Sequence, residues 1–293
     1  MRENERGTGW DMRGEPRHAI ARVAVVPVLA APEISSTQTS QYTLGHHLEL
    51  TSKEGDWWEV RGEDTYEGWI HTGYLELGDE RWATEWREGA DGQPAVGLGA
   101  TLSDETEQTL THLPWGSRVV AEDDGWYRLP DRRRGRLATG EIVPAAELAA
   151  RFPADGQEIL ESALGWYGTP YLWGGVTPGG VDCSGLVQAI YRMHGIPLPR
   201  DSYQQAEVGA ALLDDSPGES DLSSLEPGDL LFFAEGGGRV THVAISMGGS
   251  EIIHSALSNG GVATNDLEGD LELEKRLRDC LVGARRVISL TQG

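Results

Sequence analysis

The chain has 293 residues, 39% of them hydrophobic, too long for one small domain and rich enough for two or three packed cores. Lys and Arg number 24 against 47 Asp and Glu, a formal charge of −23, and so acidic a surface repels a phosphate backbone and argues against nucleic acid as a partner. No apolar run approaches a bilayer span, two cysteines build no disulfide framework, and Cys-x-x-Cys, His-Glu-x-x-His and EF-hand patterns are missing, so no membrane, metal or other cofactor is expected.

Residues 1–18 are charged, lack the apolar stretch of a signal sequence and read as a flexible N-terminus. The expected location is cytoplasmic, or exported if a leader has been trimmed. From Ala19 the pattern turns β-like, with Ile20, Val23, Val25, Val26 and Val28. Three short runs follow, His47–Leu50, Trp57–Val60 and Gly68–His71, separated by polar turns, as in a small barrel or sandwich. The pattern then returns: Gly45, Gly55-Asp56-Trp57 and Gly68-Trp69-Ile70 are echoed by Gly116, Asp124-Gly125-Trp126 and Gly135-Arg136-Leu137. Two diverged copies of one β unit are expected, at 19–80 and 81–148. The first resembles bacterial SH3-like domains, whose strands read GDWxxV and YxGWI. Tyr66 is either core of that unit or part of a substrate cleft, and Asp131–Arg134 reads as an exposed basic loop.

The remainder, 149–293, reads as helices followed by strands, an α+β domain. Helices are expected over 155–167, from Cys183 onward, where Leu186, Val187, Ile190 and Tyr191 recur at helical spacing, and from Tyr203 to Ala211. Residues 214–224 form a polar loop. Strands are expected at Leu230–Phe233, Val240–Met247, Glu251–Leu257 and 281–288.

Cys183 stands at a loop-to-helix junction, where unpaired N–H groups favour a thiolate. A buried filler is the plainer reading of a lone cysteine, and of Cys280. The glycine run before Cys183 (Gly174, Gly175, Gly179, Gly180) and two downstream histidines move the reading toward a nucleophile. His242 would exchange the proton and His254 would orient His242. Both histidines serve one site only if they share a sheet face. A plain two-residue Gly248-Gly249 turn puts them on opposite faces, so an odd-length loop or a bulge is required.

Tyr171-x-Trp173-Gly174-Gly175, Asp182-Cys183-Ser184-Gly185, Pro199-Arg200-Asp201-Ser202, Pro227-Gly228-Asp229-Leu230, His242-Val243-Ala244-Ile245 and Ile253-His254 occur in the order found in NlpC-type cell-wall cysteine peptidases. This resemblance covers roughly 150–290. It implies a papain-like catalytic domain behind two SH3-like β-barrels. It also implies hydrolysis of peptidoglycan stem peptides between γ-D-glutamate and the following L-diamino acid. Cys183, His242 and His254 would be the triad, and Tyr171, Asp182, Ser184, Ser202 and Tyr66 would contact substrate, with Asp182 a helix cap as an equal alternative. Where many such SH3-like units read Leu-Gly-Glu, this chain has Leu44-Gly45-His46. A carboxylate for a substrate ammonium would then come from elsewhere, Asp182, Glu63 or Asp64. The expected partner is an L-Ala-γ-D-Glu-diamino acid peptide met by a monomer. The alternatives are a hydrolase bound to intact wall, a catalytically dead wall-binding protein, and a papain-like acyltransferase.

Overall fold

The structure, a computed structural model, describes residues 16–213 and 222–288. The chain divides into two compact units, Met1–Glu147 and Leu148–Gly293. Residues 1–15 and most of the expected polar loop, 214–221, lie outside the described residues.

The first unit is built from two lobes. Strands β1 (His18–Ala21), β2 (Val25–Leu29), β3 (Gln38–Thr43), β4 (His47–Glu54), β5 (Trp57–Gly62), β6 (Glu67–His71) and β7 (Leu75–Gly78) form one antiparallel sheet ordered 3-2-6-5-4-1-7. Strands β8 (Gln93–Gly97), β9 (Ala100–Ser103), β10 (Thr109–Leu113), β11 (Ser117–Ala121), β12 (Trp126–Arg128), β13 (Arg134–Thr139) and β14 (Ile142–Pro144) form another, ordered 10-9-13-12-11-8-14. Counted within its own lobe the second order is the same as the first, so the sequence echo reflects a repeated topology. His18, placed in the flexible arm by the sequence reading, opens β1.

Between the lobes lies helix α1 (Glu80–Glu88), where the sequence reading expected β structure. Its signals are conventional: Asp79 accepts from the Trp82 amide as N-cap, and Gly89 ends it in the left-handed conformation. Trp86 buries against Ile20 of one lobe and Val120 of the other, and its indole N–H donates to Gly45 O at 2.9 Å. Leu44, at the tip after β3, is fully buried in the core of the second lobe among Ala100, Leu102, Leu113, Val119 and Leu129. Both lobes therefore share apolar contacts that neither completes alone.

The second unit carries α2 (Leu148–Arg151), α3 (Gly156–Leu164), β15 (Val176–Thr177), β16 (Gly180–Val181), α4 (Cys183–Met193), α5 (Ser202–Gln205) and β17 (Ala210–Ala211). Then follow β18 (Leu230–Phe233), β19 (His242–Gly248), β20 (Glu251–Ala256), β21 (Gly261–Asp266), α6 (Glu272–Cys280) and β22 (Leu281–Arg286). Six strands form one antiparallel sheet, ordered 17-22-18-19-20-21. Helix α4 packs on β19 and β20 through Leu186, Val187, Ile190 and Tyr191, each 1% exposed or less. Burying side chains of this size contributes about 2 kcal/mol apiece.

The helix expected from Tyr203 to Ala211 stops at Gln205. Gly209 takes a positive φ of 88° and turns Ala210 and Ala211 into pairing with Arg286 and Arg285. Strand β21 and helix α6 were not expected from the sequence. The required bulge is present. Ile245 pairs with Ile253 and Ser246 with Ile252, but Gly248 pairs with Glu251, so Met247 is extra. That one residue puts His242 and His254 on the same face.

Candidate active site

Cys183 is the first residue of α4. Its N-cap, Asp182, accepts from the Gly185 amide at 2.7 Å and from the Gly174 amide at 2.8 Å, tying the glycine loop to the helix start. The glycines serve close approach of backbone to backbone. A Cβ on Gly175 would overlap Gly180 O, and one on Gly185 would overlap Gly175 O. Arg200, 1% exposed, closes the other side of Asp182 with two hydrogen bonds, 3.0 and 2.6 Å, and donates to Ser184 Oγ at 2.8 Å.

The acceptor capacity of Asp182 is thus taken by two amides and a guanidinium, which weighs for the capping role over a substrate ammonium. Ser184 is likewise engaged with Arg200 and buried. Ser202 opens α5 and is 8% exposed. Tyr171 pairs as an isolated bridge with Val181 and donates its amide to Gly260 O at 2.9 Å. Burial pushes the pKa of its phenol up to about 12, with the Cys183 and Asp182 charges adding.

Tyr66, in the first unit, packs against the first lobe's core, and its carbonyl accepts from Tyr42 Oη. Glu63 is held bidentately by Arg118 at 2.8 and 2.6 Å, and Asp64 accepts from Tyr42 Oη at 3.0 Å. His46 is buried and its Nε2 meets Gly116 O at 3.1 Å. All four side chains or carbonyls already have partners inside their own unit.

His242 Nε2 lies 2.7 Å from His254 Nδ1, with the rings at 72°. His254 Nε2 lies 2.9 Å from Asn265 Oδ1. The Val243 amide, next in the chain to His242, donates to Cys183, so the sulfur sits at the head of β19. Burial pushes the Cys183 thiol up to about 12 and the Asp182 charge adds to this, against the Val243 and Ser184 amides and Arg200. Burial, with His254 beside it, drives His242 down to about 3. The sequence reading favoured a thiolate at the helix start. Both shifts favour the uncharged thiol and imidazole, the pairing in which His242 is able to accept the Cys183 proton, and both residues keep part of their surface exposed. Arg200 has a clear electrostatic role here, since it neutralises an Asp182 carboxylate that would otherwise oppose a forming thiolate.

Asn265 and Glu274 were missed from the sequence. They sit on β21 and α6, the two elements that were also missed. Leu273, Leu277 and Cys280, three and four residues apart, were the available signal for α6.

A family model for NlpC/P60 matches residues 168–279, which hold the cysteine, both histidines and Asn265, and one for the bacterial SH3 domain matches 24–76. A Corynebacterium glutamicum protein named probable endopeptidase is 35% identical over 53% of this chain and 67% of its own length. The chain belongs to the NlpC/P60 family of cysteine peptidases. A Bacillus cereus member, named gamma-D-glutamyl-L-lysine dipeptidyl-peptidase, is 30% identical over 71% of this chain, which spans 64% of that protein's length. A crystal structure of an NlpC/P60 protein from Bacillus cereus superposes with a TM-score of 0.74 at 23% identity, covering 92% of this chain and 99% of the other. The NlpC/P60 unit has the papain-like fold, with the nucleophile on a helix and both imidazoles on the sheet.

Proposed function

We propose that the chain hydrolyses peptidoglycan stem peptides between γ-D-glutamate and the following L-diamino acid, acting on short peptides with a free N-terminal amine. The observation that carries the chemistry is the His242–His254 pair aligned on one sheet face at the strand head where the Val243 amide meets Cys183. The substrate class is supported by the name of the Bacillus cereus relative, since a dipeptidyl-peptidase releases a dipeptide from a free amino end. The same reading takes both lobes of the first unit as SH3-like barrels, supported by their common strand order.

Cys183 Sγ attacks the γ-carbonyl carbon of D-glutamate while its proton passes to His242 Nδ1. The tetrahedral intermediate collapses as His242 returns that proton to the departing α-amine of the diamino acid, leaving a thioester. Water, deprotonated by His242, then attacks the thioester carbon, and the sulfur leaves and takes back the proton. In this reading the phenol of Tyr171, whose raised pKa keeps it a donor, donates toward the oxyanion.

Mass spectrometry of digests of L-Ala-γ-D-Glu-L-Lys, of its diaminopimelate counterpart, of N-acetylated forms and of intact sacculi tests this reading. Free-amine peptides should be cut fastest, and Cys183→Ala should cut none. Equal cutting of N-acetylated peptides or sacculi would replace it with a hydrolase of intact wall. Turnover by a purified Cys183→Ala chain would end the mechanism.

A further inference from the structure

We propose that Asn265 is a positioning residue of the catalytic machinery, and that Glu274 holds it in the one orientation that leaves Nδ1 of His242 free to take the thiol proton. This rests on the reading of Cys183 as nucleophile and His242 as base.

The argument is one of donors and acceptors. Asn265 Oδ1 can only accept, so at 2.9 Å it requires the proton on His254 Nε2. His254 Nδ1 is then a bare acceptor, and His242 Nε2, 2.7 Å away, must donate to it. The lone pair of His242 is thereby left on Nδ1. Without this constraint His242 could carry its proton on Nδ1 and would be useless as a base.

The orientation of the Asn265 amide is fixed from two sides. Its Nδ2 donates to Glu274 Oε1 at 3.4 Å, and its Oδ1 accepts a second bond, from Asn259 Nδ2 at 2.9 Å. Turning the amide over would set Asn265 Nδ2 against the Asn259 Nδ2 donor and its oxygen against a carboxylate. Asn259 Nδ2 also lies 3.2 Å from His254 Nε2, and with both groups protonated each turns to the shared oxygen. Glu274 is itself immobilised: Oε1 accepts from the Asp266 amide at 3.2 Å and Oε2 from the Leu271 amide at 3.1 Å, and the side chain is buried at the start of α6. These amide bonds hold its carboxyl below the usual carboxylate range. Sheet geometry brings the parts together. His254 pairs with Ala263, so Asn265 is its diagonal neighbour on the same face.

The test is the pH dependence of Cys183 alkylation by iodoacetamide, read at the Cys183 peptide by mass spectrometry, beside kcat and KM on a cleaved peptide. Asn265→Leu should slow alkylation at neutral pH by about ten- to hundredfold and lower kcat to match, with KM nearly unchanged. Asn265→Asp keeps the acceptor and adds charge, so it should retain reactivity and extend the reactive window to lower pH, since a stabilised imidazolium lets the thiol give up its proton earlier. Glu274→Leu should act like Asn265→Leu but more weakly. A folded Asn265→Leu chain whose alkylation profile overlies the wild type would overturn the proposal. If Asn265→Leu does not fold, an unshifted profile in Asn265→Asp overturns it, and a wild-type profile in Glu274→Leu removes Glu274 from it. Alkylation needs no peptide, so a wild-type chain that alkylates fast yet leaves γ-D-glutamyl peptides intact would sink the substrate reading and leave this one standing.

Discussion

The two lobes of the first unit share a strand order and solve the same packing problem with different residues. In the first, Leu48 pairs with Gly62, and the ring of Tyr42 fills the space over that glycine; a Cβ on Gly62 would overlap the Tyr42 hydroxyl. In the second, the corresponding positions are Leu113 and Leu129, both fully buried, so one large and one absent side chain are exchanged for two of middle size. The turn after each pair is the same. Asp64 accepts from the Tyr66 amide around Thr65 at φ 63°, and Asp131 accepts from the Arg133 amide around Arg132 at φ 66°. The hairpin before it is not. Glu49 pairs with Arg61, twelve residues on, and Val120 with Arg128, eight on. What persists between the lobes is summed core volume and turn chemistry; strand length and side-chain identity have drifted. The second lobe has also let Leu137 become 42% exposed where Ile70 is fully buried, and it fills its core with Leu44 from the first.

The exchange can be broken and restored. Gly62→Leu should destabilise the first unit by about 3 kcal/mol through overpacking against Tyr42, and Tyr42→Leu with Gly62→Leu should recover most of that. Urea unfolding of the two single variants and the double one measures it, and an additive double variant would show the pairs are not interchangeable. Leu44→Ala should cost about 3 kcal/mol, felt in the second lobe although the residue belongs to the first. Hydrogen exchange slowing or quickening only in residues 18–78 would contradict that.

Asp64→Ala should cost about 1–2 kcal/mol, since the Tyr42 hydroxyl and the Tyr66 amide both lose the carboxylate they donate to. Asp131→Ala, which loses only the exposed Arg133 pair and one amide bond, should cost under about 1 kcal/mol. Melting temperatures that rank them the other way would refute the assignment.

The smallest effect is electrostatic. Burial raises the Glu63 carboxyl, but the Arg118 hydrogen bonds and charge outweigh it and hold the group at about 2. A depressed carboxylate stabilises the fold above its unfolded pKa of about 4.5 and loses that contribution as pH falls toward 2. Glu63→Gln should therefore lower stability at pH 7 by a modest amount, since the pair is about a third exposed, converge with the parent near pH 2 and so flatten the acid limb between those values. An acid limb unchanged in the variant would show that the pair contributes nothing.

The sequence spoke clearly where a residue's surroundings are local. The cap at Asp182, the apolar face of α4 and the bulge demanded by His242 and His254 were all legible because helix and strand periodicities are short. It was quiet where the partner is distant. The echo of Trp57 in Trp126 suggested equivalent positions, yet Trp126 pairs with Arg136 as Glu59 pairs with Trp69, and only the shortened hairpin explains the displacement. Asn265 and Glu274 gave no signal, because a polar residue earns its meaning from the imidazole it faces across a sheet. The helix expected through Ala211 failed for a plainer reason, the backbone reversal at Gly209.

Leu44 has a consequence for how the chain is made. Synthesis runs from the N-terminus, so the first lobe is complete while the strands that bury Leu44 are still unmade. Until Leu129 emerges, a leucine that ends fully buried stands at the tip of a finished sheet, facing water. The newborn first lobe is thus left with a sticky point that only its later neighbour removes. Any interruption of synthesis within that interval would release a chain whose first lobe carries an apolar side chain with no core to enter.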